Sequence, residues 1–156
     1  MQALLNVEVS GEPFELSEKS AIYLIGNGGS CTVASHIAVD LLKNGYRAAA
    51  LSDPAVMSML ANDMGWESVF AEQLLVHART DDVLIAISSA GRSKNILSAV
   101  DAAQLSGLRV MTLSGFAPDN SLRKRGHVNY YVPSSNYGVV EITHLAILHA
   151  IVNPGA

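Results

Sequence analysis

Cysteine, charge and aromatic residues are all scarce in this sequence, and each shortage excludes something. One cysteine, Cys31, in 156 residues leaves no disulfide framework and no zinc site built from several cysteines. Charged residues make up 15% of the chain, against about 25% in an ordinary soluble domain. That excludes a disordered chain, a charged tail and a coiled coil. Aromatic residues are 6% and the net charge is −4, so there is no basic footprint for direct nucleic-acid binding. No apolar run reaches the roughly 18 residues that a membrane helix needs. No basic stretch followed by an apolar one marks an export signal at the N-terminus. These absences lead us to expect a single cytoplasmic domain over residues 1–156, reduced and off the membrane. What is plentiful is apolar, at 49%. A chain this apolar and this small is expected to cover part of its surface with other copies of itself.

Residues 1–20 carry little pattern, and Ser10-Gly11-Glu12-Pro13 reads as a turn. From Ala21 the pattern is regular. Ala21 to Ile25 is a short apolar strand ending at Gly26. Residues 30–43 carry Val33, Ile37 and Leu41 beside Ala34, Ala38 and Leu42, which is helical spacing. Arg47 to Leu51 is a second strand. Residues 55–77 read as helix broken near Asn62-Asp63-Met64-Gly65. Asp82 to Ile87 is the clearest strand, and Lys94 to Leu105 is a helix closed by Gly107. Leu108 to Leu113 and His127 to Val132 are further strands, with a short helix expected between them over 118–125. Glu141 to Val152 is a last helix. Strands alternate with helices, and most strands lack a polar face. This predicts α/β architecture: a three-layer α/β/α sandwich around a five-stranded parallel sheet, with ligands at the carboxyl ends of the strands.

Two loops between strand and helix draw attention. Gly26-Asn27-Gly28-Gly29-Ser30 allows a ligand close to the backbone at a helix N-terminus, where free amides favour anions. It lacks the lysine of a phosphate-binding Walker loop and the spacing of a dinucleotide fingerprint, so no nucleotide cofactor is expected. Taken alone it is also compatible with an ordinary tight turn. Ser88-Ser89-Ala90-Gly91-Arg92-Ser93 offers hydroxyls and first-turn amides, or simply a serine cap. Two such loops at one sheet edge favour an anionic ligand.

In order along the chain these residues resemble the sugar isomerase (SIS) domain family, and within it the phosphoheptose isomerase group. The resemblance runs from about Ala21 to Ile151. It is carried by Gly26-Asn27-Gly28-Gly29-Ser30, by Ala61-Asn62-Asp63-Met64-Gly65 followed by Phe70, by Asp82 to Ser88 leading into Gly91 and Ser93, and by His144 and His149. It implies a homotetramer or homodimer that binds a sugar phosphate at Asn27, Gly28, Gly29, Ser30, Asn62, Asp63, Ser88, Ser89, Ala90, Ser93 and Glu141. It implies a zinc site at His36, Asp40, Glu141 and His149, with Asp40 as catalytic base and His149 as acid. The reaction implied is conversion of sedoheptulose 7-phosphate to an aldoheptose 7-phosphate through an enediol.

The sequence departs from the family at several of these positions. Asp40 stands where the family has Glu, Glu141 where it has Gln, and Val139 where it has Arg. Ala90 replaces Ser or Arg, and Arg92 replaces Asn. The family's longer N-terminal helical segment corresponds here to about twenty residues. His36 and Asp40 are i,i+4 and share one helix face. Asp40 is one methylene short of Glu, and a displacement of about 1 Å in a base can cost on the order of a hundredfold in rate. Glu141 and His149 lie about 12 Å apart along a helix. A metal bound by both therefore needs a helix that starts after Glu141, or a site shared by two subunits. Cys31, His77 and His127 read as packing or surface residues, and His144 as an interface hydrogen bonder. Trp66, Tyr46 and Tyr137 read as packing residues, with Tyr137 near enough to the last loop to touch a ligand. The departures keep two alternatives in view: a regulatory protein that binds a sugar phosphate without turnover, and a subunit whose cleft another protein completes.

Overall fold

The computed structural model describes residues 6–153. Five strands are mutually parallel: β2 (Ala21–Ile25), β3 (Arg47–Ala50), β4 (Val83–Ser88), β5 (Arg109–Gly115) and β6 (Val128–Val132). A sixth, β1 (Glu8–Gly11), pairs antiparallel with β6, and the order across the sheet is β1-β6-β5-β4-β2-β3. The expected parallel sheet is therefore present, with one antiparallel edge strand added. That strand includes Ser10 and Gly11, which the sequence assigned to a turn. All four of its residues are exposed, so no burial imprints an alternating pattern on the sequence.

The helices are α1 (Gly29–Lys43), α2 (Pro54–Met64), α3 (Ala71–His77), α4 (Lys94–Leu105) and α5 (Tyr137–Val152). A short 3-10 turn at Trp66–Ser68 separates α2 from α3; of residues 62–65, near which the sequence predicts a break, Asn62 to Met64 stay helical and the helix ends at Gly65. All six residues of β4 are buried, as a central strand covered on both faces requires. On one face α1 and α5 pack through Val33, Ile37, Leu41, Leu148 and Val152. On the other, the segments from α2 to α4 pack through Leu60, Phe70, Leu74, Ile96, Val100 and Ala103. Among the described residues no helix is long and apolar enough to cross a membrane.

Two helical expectations are corrected. Residues 118–125 form turns rather than a helix. The Asn120 amide supplies the bonds that a helix would have made: Nδ2 donates to Gly115 O (3.0 Å) and Ala117 O (2.9 Å), while Oδ1 accepts from Leu122 N (3.2 Å) and Arg123 N (3.0 Å). Helix α5 begins one turn before Glu141, because Asn136 caps it by accepting from Val139 N at 3.1 Å.

The chain leaves β2 toward β3 on one side and later enters β4 on the other. Since β2 pairs directly with β4, their carboxyl ends form the topological switch point of the sheet, where open α/β sheets place their ligands.

Candidate active site

The loops after β2 and β4 meet at this switch point around a cavity of about 150 Å³, lined by Asn27, Ser30, Ile87, Ser88, Ser89, Ala90, Ser93, Tyr137 and Glu141. Gly28 turns the chain into α1 at φ +54°, and a Cβ added there would meet nothing within 4 Å. Its role is conformational rather than steric. Helices α1 and α4 both start at the cavity. First-turn amides of a helix suit an anion; here Ser30 N and Cys31 N already donate to Asn27 O and Gly28 O at 3.0 Å each, and Ile96 N donates to Asn95 Oδ1 at 3.0 Å.

Hydrogen bonds hold the two loops together. Asn27 and Asn95 exchange a reciprocal pair, Nδ2 to Oδ1 in each direction at 2.9 Å. The hydroxyls of Ser30 and Ser89 lie 3.4 Å apart, and Ser88 Oγ donates to Ser93 Oγ at 3.3 Å. Gly115 N at the end of β5 donates to Ser89 O at 2.8 Å. No lysine or arginine lines the cavity, and Arg92 is exposed outside it. Asn62 and Asp63 stand exposed near the end of α2, bonded to each other at 2.7 Å, and are not among the lining residues.

A second feature lies further along α1. Asp40 Oδ2 is 3.2 Å from His149 Nδ1 and 3.8 Å from His36 Nε2. The two imidazoles meet edge to face at 5.1 Å between centroids. One ligand atom from each of the three residues falls within 4.8 Å of the others. Ligands about 2.0–2.2 Å from a tetrahedral zinc stand roughly 3.3 Å apart; Asp40 and His149 already stand that close and His36 lies within 4.8 Å of both, which makes the three a candidate ligand set for a divalent metal. Lys43 Nζ lies 3.8 Å from the other carboxylate oxygen of Asp40, a cation that the sequence reading did not single out although it is i,i+3 from Asp40.

Glu141 is not a member of that cluster. Helix α5 is unbroken from Tyr137 to Val152, and the length of helix between Glu141 and His149 keeps their side chains apart. Glu141 instead lies against α1. A Cβ on Gly29 would fall 2.3 Å from Glu141 Oε2, so glycine at 29 makes room for the carboxylate. From there Glu141 borders both the small cavity and a groove of about 300 Å³ between α1 and α5, lined also by Thr32, Val33, His36, Ile142 and Leu145.

The other singled-out residues also find places. His144 is fully buried, and its Nε2 bonds Ser114 O at 3.2 Å. It serves the core rather than an interface, because it lies on the α5 face turned to the sheet. His77 and His127 are exposed, and Cys31 is half-buried. Tyr46 packs against the α1 face of the core, whereas Trp66 is 53% exposed. Asn95 and Tyr137 are the site residues that sequence reasoning missed or undervalued. Asn95 is a buried amide in the first turn of α4 among apolar neighbours, and that polarity was the available signal.

Residues 15–115 match the SIS domain family. Phosphoheptose isomerase of Leptospira biflexa is 34% identical over 159 aligned residues, covering 95% of this chain and 81% of that protein. The phosphoheptose isomerase of Aeromonas salmonicida is 31% identical, with 97% and 83% covered. The solved phosphoheptose isomerase of Neisseria gonorrhoeae superposes with a TM-score of 0.79 at 29% identity, covering 86% of this chain and 75% of that one. A parallel sheet with a hydroxyl-lined cradle at its switch point, together with this likeness over nearly the full length, shows that the chain belongs to the SIS domain family and within it to the phosphoheptose isomerase-like group.

Proposed function

We propose that this chain interconverts a ketose phosphate and an aldose phosphate, and that its substrate is a heptose phosphate such as sedoheptulose 7-phosphate. The observation that carries this reading is that one helix, α1, borders both halves of the site. Ser30 lines the cradle and His36 and Asp40 belong to the cluster. Helix rise sets about 9 Å from Ser30 to His36 and about 15 Å to Asp40. A phosphate held in the cradle leaves the sugar chain to run along α1, past Glu141, toward the cluster. Asn27, Ser30, Ser88, Ser89 and Ser93 meet the phosphate with neutral donors.

The chemistry is a proton transfer between neighbouring carbons. Asp40 takes the proton from the carbon next to the carbonyl, giving an enediol. His149 delivers a proton to the carbonyl oxygen; in the second half it withdraws the proton of the neighbouring enediol hydroxyl while Asp40 returns its proton to the former carbonyl carbon. The 3.2 Å contact between Asp40 and His149 orients both groups before substrate arrives. His36, Asp40 and His149 are the residues that would hold a zinc ion, whose charge would stabilise the enediolate oxygen. The apolar groove between α1 and α5, with Ile142 of its lining 62% exposed, supports self-association through this face as a dimer or tetramer.

Purified protein incubated with sedoheptulose 7-phosphate, with and without zinc, should yield aldose signals by NMR. Absence of turnover with every ketose phosphate from ribulose 5-phosphate to sedoheptulose 7-phosphate would defeat the assignment. One arrangement favours binding without turnover: Asp40, the shorter carboxylate, is already engaged by His36, His149 and Lys43. Tight calorimetric binding with no product would select that reading. Turnover abolished by Asp40→Ala would exclude it.

A further inference from the structure

Phe116 is held in a backbone conformation that an aromatic residue rarely adopts, and its ring packs against Tyr137, a residue of the cradle lining. Its φ is +61°, in the left-handed region where a bulky side chain is an outlier. Such outliers persist where the surroundings over-determine them, and they gather at functional sites. Here both adjoining peptide groups are pinned. Phe116 N donates to Ser134 O at 2.8 Å, and Phe116 O accepts from the buried Tyr131 hydroxyl at 2.8 Å. The loops that follow β5 and β6 are thereby fastened to each other. The preceding residue, Gly115, is tied to Ser89 of the cradle.

This arrangement places the Phe116 ring against Tyr137. Their centroids are 4.7 Å apart with planes inclined at 56°, within the range of favourable aromatic pairs. Tyr137 is the first residue of α5, lines the cradle cavity, and is nevertheless 58% exposed. Its ring meets Phe116 on one side, and more than half of the residue stays exposed although it lines the cavity. A phosphate has no apolar surface to offer such a ring. The carbon chain attached to it does.

We propose that Tyr137, backed by Phe116, is a specificity-determining wall that packs against the C–H face of the sugar chain next to the phosphate. This rests on the function proposed above and adds to it the residue that separates a sugar phosphate from a bare phosphate. Tyr137 touches the ligand, while Phe116 is a positioning residue that acts through Tyr137. The wall meets carbons away from the reacting centre. Its binding is therefore felt equally in ground and transition states, and its loss appears in KM rather than in kcat.

The test uses calorimetry on the full chain with three probes: inorganic phosphate, fructose 6-phosphate and sedoheptulose 7-phosphate. Tyr137→Ala should weaken sedoheptulose 7-phosphate by about tenfold, the scale of one lost apolar contact surface, and inorganic phosphate by less than about twofold. Tyr137→Phe should recover most of the lost affinity, because the ring and not the hydroxyl forms the wall. Phe116→Asn, which suits the left-handed backbone, should keep a cooperative melt while reproducing part of the sugar-specific loss. Equal weakening of phosphate and sugar phosphate in Tyr137→Ala, or no weakening of either, overturns the wall and leaves the proposed function standing. Wild-type protein that binds inorganic phosphate but neither sugar removes both.

Discussion

Acid should destabilise this protein through His144, and the size of the effect follows from its surroundings. The ring is fully buried, Nε2 donates to Ser114 O at 3.2 Å, and Nδ1 has no hydrogen-bond partner among the described residues. Burial pushes the imidazole pKa down from 6.5 to about 4, and the bond to Ser114 opposes this only in part. The unfolded chain therefore takes up a proton near pH 6.5, whereas the folded chain takes it up only near pH 4. Between these values the unfolded state holds more protons, so stability falls as pH falls. The contribution is complete above 6.5 and wholly lost below 4. The full span is worth about 3 kcal/mol, and about 2 kcal/mol is gone by pH 5. Guanidinium unfolding at pH 8, 7, 6 and 5 measures this directly. His144→Gln keeps an N–H for Ser114 O and has nothing to protonate. Its stability should lie below that of the wild type at pH 8 and approach or pass it by pH 5. Parallel losses in the two proteins between pH 7 and pH 5 would refute the reasoning, since other titrating groups are common to both.

Three further outcomes are expected. Gly91→Ala puts a side chain at φ +63° with its Cβ 1.9 Å from Asn120 Oδ1, the atom that organises the 118–125 turns. It should cost about 3 kcal/mol and lower the melting temperature by roughly 6–12 °C in calorimetry. Asn95→Ala breaks the reciprocal amide pair and frees Asn27, so inorganic phosphate should bind about tenfold more weakly, at a stability cost of about 1–2 kcal/mol. An unchanged phosphate affinity would show that the cradle does not depend on the clamp. Asp40→Ala should lower kcat by on the order of a hundred- to ten-thousandfold and remove zinc measured by equilibrium dialysis. Retained zinc would separate the metal from the base.

What was legible in the sequence was whatever burial writes into it. The five parallel strands and α1 to α4 could be placed because their apolar spacing reports contact with the core. Strand β1 left no such mark, since all its residues face solvent. The 118–125 turns were misread because one side chain, Asn120, replaces the backbone bonds of a helix. The start of α5 was set late because Val139 and Val140 follow a cap, Asn136, that was not recognised. The cradle was readable from its glycines and serines. Its clamp was not, because Asn95 is adjacent to Asn27 only after folding. The grouping of His36, Asp40 and His149 without Glu141 follows the helix arithmetic, which already separated Glu141 from His149.

The cluster and the core are not independent. Ile37 and Leu41 each follow a cluster residue by one position, and Leu148 precedes His149. All three are fully buried in the layer where α1 packs on α5. Together with Val33, Val152 and the bonds from Asn44 Nδ2 to Val152 O (3.1 Å) and Asn153 Oδ1 (3.0 Å), these three side chains hold α1 against α5 and so help to set the contact between Asp40 and His149. Protein cores respond to the loss of buried methylenes with partial collapse that leaves a residual cavity. A smaller residue at 148 would let α5 settle toward α1 and change the 3.2 Å separation. Acid–base geometry tolerates little of that, because displacement on the order of 1 Å is felt a hundredfold in rate. The packing that holds the fold together on this face therefore also bears on the distance between Asp40 and His149.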